Sequence, residues 1–290
     1  MFFFWALIAA FFHAFQNTLI VKHSRKIGGL SICIYRSLSL IITMTPILYW
    51  ADFSSFTKLP QHFPYILLAG ALGAISSSTG FASMKYMTVA VSGTFKTALS
   101  VIFSFLFGAL FLFEIPTIWQ IIFSSVIIIG GFFLGTQKKD FKHLDNNVKK
   151  GFILATIAAF CSGMMMTSLA YASRNFDPYI TGYLWEASIG IFALIIGVAK
   201  KPFTGKKITK IDSKTFFKIT LLASPTLIGT LAFMKAIPLG SIGVLSSITL
   251  SGIIISLALA YFLYDEKLSK KQIFWIFFMI FGIAGLKLLE

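Results

Sequence analysis

The chain has 290 residues, 57% of them hydrophobic and 12% charged, with a mean hydropathy of +0.85. Soluble domains carry about 25% charged residues, so this composition excludes a water-soluble globule and implies an integral membrane protein. The formal net charge of +15 points to loops lying beside anionic lipid, and not to nucleic acid, because most Lys and Arg residues stand between apolar runs.

A bilayer core takes roughly 20 apolar residues of helix. Ten runs meet that need: 2–21, 30–50, 64–84, 88–113, 117–136, 151–172, 178–199, 216–234, 239–263 and 272–289. The expected fold is an all-α membrane protein of ten transmembrane helices. The first run has no basic segment ahead of it and no small-residue cleavage site, so it is expected to span the membrane. Cys33 and Cys161 both fall in apolar spans, and no disulfide framework is implied. The two longest connections, 137–150 and 200–215, are polar and Lys-rich and are expected to be solvated loops.

The two halves resemble each other at a spacing of about 150 residues. Ile8–Phe11 recurs as Ile157–Phe160, Ser24–Arg25 as Ser173–Arg174, and Met84–Lys85 as Met234–Lys235. Gly93 recurs as Gly243, Glu114 as Glu266, Gln120 as Gln272 and Gly130 as Gly282. The matches keep their order, so the chain divides into a repeat over 1–136, a loop over 137–150 and a second repeat over 151–290. Five helices per repeat is an odd number, which places the halves inverted in the membrane, a usual layout of secondary transporters.

The stretches Phe111–Gly131 (FLFEIPTIWQIIFSSVIIIGG) and Phe262–Gly282 (FLYDEKLSKKQIFWIFFMIFG), with Arg36 early in the second helix, carry a resemblance. The chain resembles the EamA-like branch of the drug/metabolite transporter superfamily over nearly its whole length. The resemblance implies ten helices in two repeats and transport of small metabolites. Two family habits are missing. No proline lies midway along the fourth helix of either repeat, and Phe113 and Asp265 stand where a glycine usually precedes the Glu.

Alternate counting puts Lys22, Arg25, Lys26, Lys85, the Lys residues of the two long loops, Lys267, Lys270 and Lys271 on one side, while Lys58, Arg174, Lys235 and Lys287 lie on the other. The positive-inside rule then makes the first side cytoplasmic and leaves both termini outside, whereas the resemblance implies both inside. The expected location is the inner (plasma) membrane, multi-pass.

A charge at mid-membrane costs about 2.5–3.5 kcal/mol on insertion scales, so charged residues there are functional candidates that face the bundle interior. Three qualify: Arg36, Lys96 and Glu186. Lys96 lies beside a stripe of Gly93, Thr97, Ser100, Ser104 and Gly108, which reads either as room for a ligand or as close helix packing. Glu186 shares a face with Tyr179, Gly182, Tyr183 and Gly190. Arg36 and Glu186 occupy near-equivalent places in the repeats, and either bridge each other or bind the two charges of a zwitterion. His13, Gln16 and Asn17 in the first helix suit substrate or interhelical hydrogen bonds. Ser77, within Ser76–Thr79, and Tyr171, after the methionines 164–166, complete the candidates, with apolar packing as the alternative for Tyr171. Glu114 and Glu266 read as helix-end groups.

No Cys/His metal spacing, phosphate-cradling glycine loop or nucleotide-hydrolysing motif occurs, so no catalytic residue, metal or cofactor is expected. The sequence implies a secondary transporter, exporter or exchanger, for a small polar metabolite such as an amino acid. It would be proton-coupled or a facilitator, and a monomer or weak dimer. The alternatives are uptake of a nucleotide-like or cofactor metabolite such as S-adenosylmethionine and, in another class, an assembly subunit or intramembrane enzyme.

Overall fold

The computed structural model describes residues 1–87, 89–135, 146–204, 208–264 and 269–289. The regular structure of these residues is helical. In chain order the helices are α1 (Phe2–Ile27), α2 (Gly29–Thr43), α3 (Leu59–Ser83), α4 (Val89–Phe111), α5 (Ile118–Gly135), α6 (Asn146–Asn175) and α7 (Pro178–Thr204). There follow α8 (Ser213–Ala223), α9 (Thr226–Ala236), α10 (Ile242–Leu250), α11 (Gly252–Tyr264) and α12 (Lys270–Leu288). Short 3₁₀ turns cover Thr45–Trp50, Phe53–Lys58 and Ile237–Leu239. Most of the expected loop 137–150, and Glu266, lie outside the described residues.

Eight segments are long and apolar enough to cross a membrane, and Gly29–Thr43 and Ile118–Leu134 form two shorter apolar helices. Together they correspond to the ten expected runs, with α2 continued by the turn at Thr45–Trp50. The helices are apolar on most of their surface, as chains solvated by lipid must be, since hydrocarbon rewards no outward polar face.

Two expected spans are broken. The eighth divides into α8 and α9 at Ser224–Pro225, because proline has no N–H for the helical ladder. The Leu227 N–H closes instead on the Ser224 carbonyl at 3.0 Å. The ninth divides at Ser251, which donates its N–H and its hydroxyl to the Ile248 carbonyl, at 3.0 Å and 2.6 Å. A Cβ added to Gly252, just beyond, would stand 2.8 Å from the Ala10 carbonyl, so glycine admits the α1 backbone there. The counterpart helices α3 and α4 run unbroken. The break in the ninth span is thus made by a serine turn and a close-packed glycine, without the proline the family favours.

The halves interlock. α6 packs on α3 and α4, and α1 packs on α9, α10 and α11; α2 lies against α7, α4 against α10 and α5 against α12. Exchanging the halves maps each of these pairings onto another or onto itself, whereas the packing of α4 on α5 has no match of that size in the second half. Glycines set the close approaches. Cβ atoms added to Gly130 and Gly282 would stand 2.5 Å from Met279 Cγ and 2.8 Å from Ile127 Cγ1, which fits a packing role at the α5–α12 seam.

Beyond α4, Phe113 adopts φ 57° and the Glu114 N–H turns back to the Gly108 carbonyl at 3.1 Å. Glycine would take this left-handed conformation freely, while an L side chain there costs roughly 1–2 kcal/mol. Phe113 is 83% exposed and has little packing to lose. Phe113→Gly is therefore expected to stabilise the protein by up to about 1 kcal/mol after the added freedom of the unfolded chain is counted. A rise in the thermal unfolding midpoint in detergent checks this; an unchanged or lower midpoint contradicts it.

Candidate substrate site

The site is assembled on α7, which small residues let in between α2 and α3. A Cβ added to Gly190 would stand 2.9 Å from Ser37 Cβ on α2, and one added to Gly70 on α3 would stand 2.3 Å from Ser188 Cβ. Gly182 meets Met234 of α9 in the same way, at 2.8 Å from its Cγ. Glu186 lies between these contacts and is 3% exposed.

Its carboxylate meets Arg36 at two points: Arg36 Nη1 donates to Glu186 Oε2 at 3.2 Å and Nη2 to Oε1 at 3.4 Å. Arg36 Nε also donates to Gln16 Oε1 at 3.4 Å, which draws α1 into the group. The planar guanidinium suits this forked arrangement, for which lysine would be a poor substitute. Gln16 is 1% exposed, and its Nε2 has no hydrogen-bond acceptor among the described residues. One turn earlier, His13 Nε2 lies 3.4 Å from Thr230 Oγ1 on α9, and its ring packs near Phe233. Arg36, Glu186, Gln16 and His13 thus form one interior cluster across both halves.

Lys96 enters from α4. Its alkyl chain runs along Gly80 of α3; a Cβ there would stand 3.2 Å from Lys96 Cδ and 3.1 Å from Nζ. Lys96 has no hydrogen bond or ion pair among the described residues. Around it the stripe splits in function. Ser100 donates to the Thr97 carbonyl (2.9 Å) and Ser104 to the Ser100 carbonyl (2.9 Å), both within their own helix. A Cβ at Gly163 of α6 would stand 3.1 Å from the Ser104 backbone nitrogen, so that part of the stripe is packing. A Cβ at Gly93 would meet nothing within 4 Å, so that part is open.

Other candidates lie apart from the cluster. Asn17 is exposed, on the α1 surface beside the buried Gln16. Ser77 is half-buried and makes no hydrogen bond among the described residues, whereas Ser76 donates to the Ala158 carbonyl of α6 at 2.8 Å. Tyr183 donates its hydroxyl to the Ile41 carbonyl at 3.3 Å and packs with Leu40 and Met44. Tyr171 is 37% exposed and stacks obliquely on Tyr65, with centroids 4.3 Å apart, beside His62 near the start of α3.

A second charged contact was legible only in part. Arg174 Nη2 lies 2.6 Å from Glu114 Oε1 and donates to the Gly240 carbonyl at 2.6 Å, and Arg174 Nε donates to the Ile237 carbonyl at 3.3 Å. Glu114 Oε2 accepts from the Ile242 N–H at 2.8 Å, at the start of α10, where a carboxylate is favoured. The sequence flagged both residues, one in the Ser-Arg repeat and one in the family stretch, but nothing in it paired them. Glu114→Gln is expected to cost about 1.5–3 kcal/mol, the range for hydrogen bonds to a charged group. A thermal melt checks this: a lowered midpoint is expected, and an unchanged one would show the contact to be idle.

The EamA-like transporter family model matches residues 1–136 and 149–288. The chain belongs to this family. A protein of Enterococcus faecalis named "Putative sugar uptake protein" is 26% identical over 227 residues, covering 75% of each chain. A solved structure described only as "Crystal structure of protein" superposes with a TM-score of 0.69 at 14% identity, covering 98% of this chain and 96% of that one. That likeness supports the fold. With the family, the apolar helices make this EamA-like protein a multi-pass membrane transporter.

Proposed function

We propose that this EamA-like protein is a secondary transporter of the inner membrane that carries a small polar metabolite of the amino-acid class. It works by alternating access, as the two repeats, inverted with respect to each other, rock about the Arg36–Glu186 cluster. The observation that carries this reading is the cluster itself: a buried ion pair bridging the halves, with Gln16 and His13 on one side and an unpaired Lys96 nearby. Buried charges are costly in a membrane and mark solute pathways. A zwitterion can take the place of each partner in the Arg36–Glu186 pair, its carboxylate replacing Glu186 and its amine replacing Arg36. Exchange of this kind opens the pair without leaving either charge bare.

The name of the Enterococcus faecalis relative favours a second reading, uptake of a sugar. A neutral sugar suits Gln16, His13 and Thr230 but leaves Lys96 without a role. Purified protein in proteoliposomes distinguishes the two. Saturable counterflow of a labelled amino acid, without flux of neutral hexoses, is the expected result. Hexose flux alone would establish the second reading, and flux of labelled S-adenosylmethionine or nucleotides alone would move the substrate to the cofactor class. No saturable flux of any of them would sink the transport proposal.

A further inference from the structure

We infer that the site takes a solute of net negative charge, whose anionic group pairs with Lys96. The inference rests on the transport reading above and narrows its substrate.

The charge count comes first from the sequence. Of ten acidic residues, Glu186 alone falls in the middle of a span. Glu114 lies beyond the end of α4, and the other eight stand in or beside connections or at the C-terminus. Two cations, Arg36 and Lys96, fall mid-span. Glu186 is committed to Arg36 through two contacts. The interior therefore holds one positive charge with no acidic partner in the membrane.

The two cations also share a depth. Arg36 lies seven residues into α2 and Lys96 seven residues into α4, each about 10 Å along its helix. α2 and α4 begin on the same side, because the end of α3 packs on the start of α2: a Cβ at Gly29 would stand 2.6 Å from the Ser78 carbonyl and 2.7 Å from the Ala82 nitrogen. α3 lies against both α2 and α4, and its Gly80 leaves the space that the Lys96 chain fills. Gln16, held by Arg36 through its Oε1, keeps a buried Nε2 donor without an acceptor among the described residues. The cluster thus offers an unpaired ammonium and an unused amide donor, and no unpaired interior carboxylate to hold a second cation. A zwitterion or a neutral sugar leaves the excess charge where it is. A solute with one net negative charge brings the interior to neutrality and supplies acceptors to both groups.

The test uses matched solutes that differ mainly in charge: L-glutamate against L-glutamine, L-aspartate against L-asparagine, and gluconate against glucose. Binding is read as ligand-dependent thermal stabilisation of the full-length purified protein, with labelled uptake in proteoliposomes in parallel. At least one acid is expected to half-saturate at a concentration about tenfold below its neutral partner, the scale of one charge-assisted contact. Lys96→Met is expected to erase that preference, and Lys96→Arg to keep most of it while showing that the position tolerates substitution. Neutral partners binding as well as the acids, a preference that survives Lys96→Met, or no binding by any of the six would overturn the inference. Saturable uptake of a neutral member without its acid would leave the transport reading standing while this inference fell.

Discussion

Glu186→Gln is expected to destabilise the protein by about 3–5 kcal/mol, the usual cost of removing one partner from a buried ion pair. The amide keeps the shape of the side chain and one acceptor oxygen but removes the counter-charge, leaving the Arg36 cation against neutral amides in an interior where Lys96 already lacks a counter-ion. Arg36→Met should cost a similar amount. The double variant Arg36→Met/Glu186→Leu should recover much of the loss, because removing both charges also removes their desolvation penalty. With Glu186→Leu added as the matching single variant, a double-mutant cycle on thermal stability in detergent measures this directly. Recovered folding without recovered flux would separate the pair's structural part from its part in transport. Single variants as stable as the parent would mean that the pair is open in solution.

Gly70→Leu is the second large effect. A Cβ alone would stand 2.3 Å from Ser188 Cβ and 3.1 Å from its backbone carbonyl carbon. Backbone cannot turn away as a flexible side chain can, so α7 has to shift off α3. Over-packing of this kind costs about 1–3 kcal/mol or more. Ser188 lies two residues beyond Glu186, so the shift also carries the carboxylate away from Arg36. Gly70→Leu is expected to lower both the yield of folded protein and the rate of transport. Ser188→Gly in the same chain should restore part of each by making room at the contact. Normal transport by Gly70→Leu alone would show that α7 is not held by this contact.

How much of this was legible in the sequence depends on the physics each feature obeys. Apolar runs of bilayer length mark spans whatever they pack against, so among the described residues eight runs hold helical segments long and apolar enough to cross a membrane and the other two hold shorter apolar helices. The paired residues of Ser24–Arg25 and Ser173–Arg174 implied two repeats, and the main contacts between the halves pair off when the halves are exchanged, although α4 also packs on α5 with no match of that size between α10 or α11 and α12. Arg36, Lys96 and Glu186 stood out because a mid-membrane charge is rare and costly. The partners were harder to read. That Arg36 takes Gln16 as well as Glu186, and that Arg174 takes Glu114, depends on helices far apart in sequence. Helical spacing placed Asn17 with His13 and Gln16, yet adjacent residues point about 100° apart, and Asn17 emerges on the outer surface. The breaks at Ser224–Pro225 and Ser251 lie inside runs whose hydropathy is continuous. Proline signals the first. The second is a three-residue closure beside a close-packed glycine, for which hydropathy carries no mark.

The most direct measurement is a structure of the full-length protein determined with a saturating concentration of a solute it transports. The solute is expected between the two halves, with an anionic group against Lys96 and its remaining polar atoms near Gln16 and Arg36. A transported solute bound elsewhere, with Lys96 still lying unpaired along Gly80 and the Arg36–Glu186 pair unchanged, would contradict the assignment of this cluster as the substrate site.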